Sequence, residues 1–111
     1  RNDMSVYRFK SRETGDLVML PAHGKRMLEI LGKDPDSPGV LLPDDMPRAI
    51  DAIRAAVLNE EAEHKRLRDE AEAKGEVPPT FESVSLRMRS TPFIEMLQRA
   101  LKERVEVVWG V

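Results

Sequence analysis

The sequence predicts an α+β domain: a small, mainly antiparallel sheet packed by helices, in the order β-β-α-α-α-β. Three observations carry this. Short alternating or β-branched runs stand near both ends of the chain. Two long stretches between them place apolar residues at helical spacing, and prolines and glycines punctuate the joins. A chain of 111 residues fits one domain spanning 1–111, large enough to bury about two thirds of its unfolded surface.

SVYRFK (5–10) alternates, with Tyr7 and Phe9 on one side and Arg8 and Lys10 on the other, as a half-buried strand does. SRETG (11–15) is a short turn ending in Gly, and DLVML (16–20) is a second apolar strand. So short a loop joins antiparallel neighbours, hence a hairpin. Pro21 ends that strand. Met27, Leu28, Ile30 and Leu31 then form an apolar stripe over a helix at about 22–31, with Gly32 as its C-terminal cap and Pro35 forbidding continuation. KDPDSPGVLLPDD (33–45) is a loop, in which GVLL offers a further short strand pairing.

Asp44 or Asp45 is expected to cap a long charged helix at 46–74, with Pro47 in its first turn. Ile50, Ile53 and Val57 mark its buried face. Beyond Leu58 it turns charged and solvated, with Glu61–Lys65 and Glu70–Lys74 as i,i+4 pairs. At 1.5 Å per residue it runs about 45 Å. Its second half either lies antiparallel to the last helix or projects towards another subunit. Residues 75–83 (GEVPPTFES) form a linker between the two long helices. Residues 83–104 read as helical, with Leu86, Phe93, Leu97 and Leu101 on one face. Pro92 marks a kink or break near Ser90, or a fresh start capped by Thr91. VEVVW (105–109) is the closing strand, with Val105, Val107 and Trp109 sharing a face. It is either a buried central strand, the favoured reading, or an edge used by a partner. The two terminal strands are expected to pair.

Composition narrows the functions. The net charge of −2 is too balanced to imply nucleic acid or a membrane surface. It is uneven, however: residues 1–33 carry 7 basic and 4 acidic side chains, 34–76 carry 6 and 12, and 77–111 carry 5 and 4. The basic last helix is expected to lie against the acidic 59–76 segment. No cysteine is present, which removes disulfides and thiolate chemistry. No apolar run approaches the ~20 residues that span a bilayer, and no signal-peptide pattern opens the chain. A cytoplasmic protein is expected, with Arg1-Asn2-Asp3 read as a remnant ahead of Met4 as the natural start.

The one chemically suggestive run is His23-Gly24-Lys25-Arg26, at a helix start where backbone amides and two cations favour an anion. It is neither GxxxxGK[ST] nor GxGxxG, and a plain solvated helix start has the same composition. His23 and His64 lie too far apart and too poorly supplied with ligands for a metal site, so no metal or cofactor is expected. No catalytic residue emerges: there is no GxSxG, and Asp44-Asp45 read as caps rather than an acid–base pair. Met4, Met19, Met27, Met46, Met88 and Met96 read as core fillers.

YRFKS, GDLVML, MLEILGKDP, PGVLLPDDMPRAI, VSLRMRSTPFIEMLQRA and VVWGV, in this order, resemble a family of short bacterial proteins known only as a domain of unknown function (DUF1840-like). The resemblance spans essentially the whole chain and is weakest over 59–82. It departs from the family pattern at Met88 and Ser90-Thr91, where Gln, then Ala and a large apolar residue, are expected. It implies a bacterial, cytoplasmic protein and brings no activity, cofactor or catalytic residue. The expected function is a small non-enzymatic interaction or scaffold module that self-associates or binds a protein partner. The alternative is a binder of a small anion or phosphate ligand at residues 23–26.

Overall fold

In the computed structural model, which describes residues 6–111, the elements are β1 (Tyr7–Lys10), β2 (Leu17–Met19), α1 (Pro21–Ile30), β3 (Gly39–Leu41), a 3-10 turn (Pro43–Asp45), α2 (Met46–Ala73), α3 (Leu86–Lys102) and β4 (Val107–Trp109). The reading of Met4 as natural start and core filler, and of Ser5 as the first residue of strand 5–10, lies outside the described residues.

The α+β class holds, with one strand more than the order β-β-α-α-α-β. GVLL does pair, so four strands form one antiparallel sheet in the order β2-β1-β4-β3. The register sets Phe9 opposite both Leu17 and Trp109, and Leu41 opposite Val107. Period-2 alternation does the rest. Phe9, Met19, Leu41, Val107 and Trp109 turn inward and are buried, while Arg8, Val18 and Val40 face out. β4 is central and Trp109 is only 2% exposed. The terminal strand is therefore core, not an edge. Phe9 sits between Phe93 of α3 and Trp109, with ring centroids 4.7 and 5.9 Å away, in tilted geometries that aromatic rings favour.

Two glycines set how closely the layers approach. A Cβ on Gly24 of α1 would lie 2.3 Å from Tyr7 Cγ, and one on Gly39 would lie 2.4 Å from the Trp109 indole. α1 ends as expected on Gly32 at φ 73°. The Lys33 amide donates to Leu28 C=O and the Gly32 amide to Glu29 C=O, a Schellman motif. α3 ends in the same way on Arg104, a non-glycine residue held at φ 57°.

Several expectations fail for local reasons. Neither Asp44 nor Asp45 caps α2 with its side chain. The 3-10 turn leads straight into the helix, and the Asp45 amide donates to Leu42 C=O. Asp44 instead meets Arg104 at 2.6 Å. Lys65 pairs with Asp69, leaving Glu61 for Arg87 of α3, so the Glu61–Lys65 pair does not form; Glu70–Lys74 does, at 3.8 Å. α3 is one helix through Pro92, capped by Ser85 Oγ accepting from the Met88 amide, and there is no fresh start at Thr91. Pro92 withdraws one amide on the exposed side, and the Thr91 hydroxyl donates back to Arg87 C=O. Met88, on that side, is 60% exposed rather than a core filler; Met19, Met27, Met46 and Met96 are buried.

α3 lies antiparallel to the first half of α2. The Leu86 amide donates to Glu60 at one end of the pair, and Arg104 meets Asp44 at the other. Since α3 begins opposite Glu60–Glu61, residues 62–73 of α2 extend beyond it. The linker folds back along this overhang: Phe81 stacks on His64 at 3.7 Å, while Val77 remains 90% exposed. The molecule is accordingly elongated, 52 × 32 × 21 Å.

Candidate functional site

The four residues of the HGKR run do not converge. α1 begins earlier than the run, at Pro21, and the amides of His23 and Gly24 close on Leu20 C=O at 3.0 and 2.9 Å. They are therefore turned into the helix rather than towards an anion. Gly24 is buried beneath Tyr7, and His23 is half-buried facing α3. Arg26 lies beside α2 in a shallow groove with Ala52 and Glu60. Lys25 and Arg26 are exposed and join no ion pair among the described residues.

His23 belongs to a different cluster, one that the sequence hid. The Arg89 side chain is only 13% exposed, and its Nη1 lies 3.1 Å from each of His23 Nε2, Glu82 Oε1 and Val84 C=O. A guanidinium only donates, and the two protons of this nitrogen are shared among the Glu82 carboxylate, the Val84 carbonyl and the adjoining imidazole nitrogen. The cluster ties α1, α3 and the linker together. It holds no nucleophile, and its partners lie 66 and 7 residues apart in sequence, so no local spacing pointed to it.

His64 is engaged by Phe81, with Arg68 6.0 Å above the same ring. Among the described residues, no three of His, Asp and Glu come together as a metal set.

A groove of about 400 Å³ with both apolar and charged character lies between α2 and α3. Val57, Ser90 and Ile94 form its floor, and Arg54, Leu58 and Glu95 rise on its rim. Leu58 is 60% exposed. Ser90 is 1% exposed and its hydroxyl has no hydrogen-bond partner among the described residues. At the open end, Arg87 grips Glu61 bidentately at 2.7 and 2.8 Å. The hydrogen bonds from Arg87 hold the Glu61 carboxyl below its ordinary range, and Glu61 raises Arg87 in turn. The expected match of basic last helix and acidic segment is therefore narrow. Arg87 meets that segment, whereas Arg89 is in the His23 cluster and Arg99 reaches Glu13 C=O. The groove was not legible beforehand, because it depends on which residues of two helices stand level.

No curated protein and no solved structure matches the chain. A family model, Domain of unknown function (DUF1840), matches residues 5–109 of the 111. With the match covering nearly the whole domain, strands and helices alike, the chain belongs to the DUF1840 family.

Proposed function

We propose that this protein is a small non-enzymatic interaction or scaffold module of a bacterial cytoplasm and that it self-associates. The observation that carries the reading is the overhang of α2. Residues 62–73 continue the helix past the start of α3, farther than the core of one copy requires. The linker covers part of this segment, burying Ala71 and stacking Phe81 on His64. Most of the segment's side chains stay exposed and gain little from their own domain, and a partner surface accounts for its length. Sedimentation equilibrium tests the reading: the weight-average mass is expected to rise with concentration from 12.6 kDa towards twice that value. A constant monomer mass at high concentration would refute self-association.

A second reading, binding of a small anion or phosphate ligand at the 23–26 helix start, is left with Lys25 and Arg26 alone, which are exposed and join no ion pair among the described residues. It predicts that phosphate raises the melting temperature and that Lys25→Ala with Arg26→Ala removes the rise. No rise in the wild type would end it.

A further inference from the structure

We infer that the α2/α3 groove is the surface on which a second copy of this chain seats, forming an antiparallel four-helix interface; this rests on the self-association reading above and places the contact beside the overhang, on the paired parts of α2 and α3.

Levels along the helix pair set the geometry. Glu60 stands beside Leu86 and Glu61 beside Arg87, so counting antiparallel along both helices brings Val57 level with Ser90–Thr91 and Arg54 level with Ile94–Glu95. The α2 wall therefore presents Arg54, Leu58 and Glu61 at successive levels, and the α3 wall presents Glu95, Thr91 and Arg87. A two-fold axis running along the groove, parallel to the helices, lays α2 of the second copy over α3 of the first at unchanged level. Each α2 then faces the other copy's α3 in antiparallel fashion, as neighbours do in up-and-down bundles. Arg54 of each copy comes over Glu95 and the partly buried Ile94 of the other, and Leu58 comes over Thr91. By symmetry each contact forms twice.

Charge selects a second copy as the occupant. Arg54 and Glu95 are both exposed, and neither joins an ion pair among the described residues. They carry opposite signs on opposite walls, which is self-complementary under the two-fold. The outer sheet face lacks this property. Arg8 and Lys10 stand in β1, one of its two central strands. Arg8 is already paired with Asp16 at 3.7 Å, and among the described residues the face offers no unpaired carboxylate opposite Lys10 in a second copy.

The expected contact is modest. α3 is about 25 Å long and two helices are about 20 Å wide. That is roughly 500 Å² per copy and about 1,000 Å² in all, at the low end for a specific interface. A weak, concentration-dependent dimer follows.

Sedimentation velocity over a concentration series tests this with the wild type, Leu58→Glu, Arg54→Glu, Glu95→Arg and the double reversal Arg54→Glu/Glu95→Arg. The positions changed all carry exposed side chains, and far-ultraviolet circular dichroism at low concentration checks that each variant keeps its fold. Leu58→Glu is expected to abolish the dimer. Each single reversal is expected to weaken it about tenfold or more, and the double reversal to recover it to within about threefold. A wild-type dimer indifferent to all these changes would overturn the groove assignment while self-association stands. A wild type that remains monomeric to about 1 mM overturns both.

Discussion

Gly24→Ala offers a test in which the structure reverses the sign that helix propensity predicts. In the interior of an exposed helix, Ala exceeds Gly by about 0.8–1 kcal/mol. Gly24 is instead pressed against β1: a Cβ there would lie 2.3 Å from Tyr7 Cγ and 2.5 Å from both Tyr7 Cβ and Cδ1. Carbon atoms in contact sit at about 3.5–4.0 Å, so a gap of more than an ångström must open. Tyr7 Cβ and Cγ cannot swing away, because they lie at the root of the side chain. Its hydroxyl donates to Pro35 C=O at 2.9 Å, and β1 is held between β2 and β4. Helix α1 must lift from the sheet. Overpacking of this kind costs about 1–3 kcal/mol, and loss of the Tyr7–Pro35 bond about 1 more. After subtracting the propensity gain, the net loss is about 1–3 kcal/mol. In urea, with a slope near ~1.5 kcal/mol/M, the unfolding midpoint should fall by about 1–2 M. In a Tyr7→Gly background, which removes the Cβ as well as the ring, Gly24→Ala should become neutral or stabilising. A midpoint for Gly24→Ala equal to or above the wild type would refute the close approach of α1 to β1.

Three further outcomes follow from single contacts. Ser90→Ala should stabilise by about 1 kcal/mol, measured by urea unfolding, because it removes a buried hydroxyl that lacks a partner and installs a better helix former. Arg104→Gly in an Asp44→Ala background should raise stability by about 1 kcal/mol, since Gly occupies the φ 57° position without strain and the Asp44 ion pair is already absent from the reference. The Glu61 carboxyl should titrate below its ordinary value of 4.5 when followed by carbon NMR, and return towards it in Arg87→Gln. Because the folded value is the lower one, the contribution of this contact is present above the unfolded value and is lost as pH falls through the folded one. The two proteins should accordingly converge in stability at acid pH.

Much of the fold was legible because its signals are local. The alternation of Tyr7, Arg8, Phe9 and Lys10 and the turn ending at Gly15 specified the hairpin. Gly32 marked the end of α1, and Ile50, Ile53 and Val57 marked the face of α2 that is buried. The misreadings arose where a residue had a choice of partner. Glu61 had Lys65 within its own helix and Arg87 across the groove, and the bidentate guanidinium won. Asp44 looked like a cap and became the ion-pair partner of Arg104, 60 residues away. Pro92 looked like a break, yet only one amide is missing there, on the solvent side. Positions 23–26 read as one cluster along the chain, and the helical period sent His23 to α3, Gly24 to β1 and Arg26 to α2. The α2/α3 groove had no sequence signature of its own, because it depends on the relative level of two helices joined by a long linker.

The most direct test of the groove as a self-association surface uses the absence of native cysteine. Separate Leu58→Cys and Thr91→Cys proteins are mixed under mild oxidation. The two-fold arrangement predicts a mixed disulfide dimer, joining position 58 of one copy to position 91 of the other, well in excess of the same-site dimers formed by either protein alone. Adding Glu95→Arg to the Thr91→Cys protein sets a cation against Arg54 of the other copy and should suppress the mixed product. Cross-linking at the random proportions of unassociated proteins, or none at all, would contradict the account.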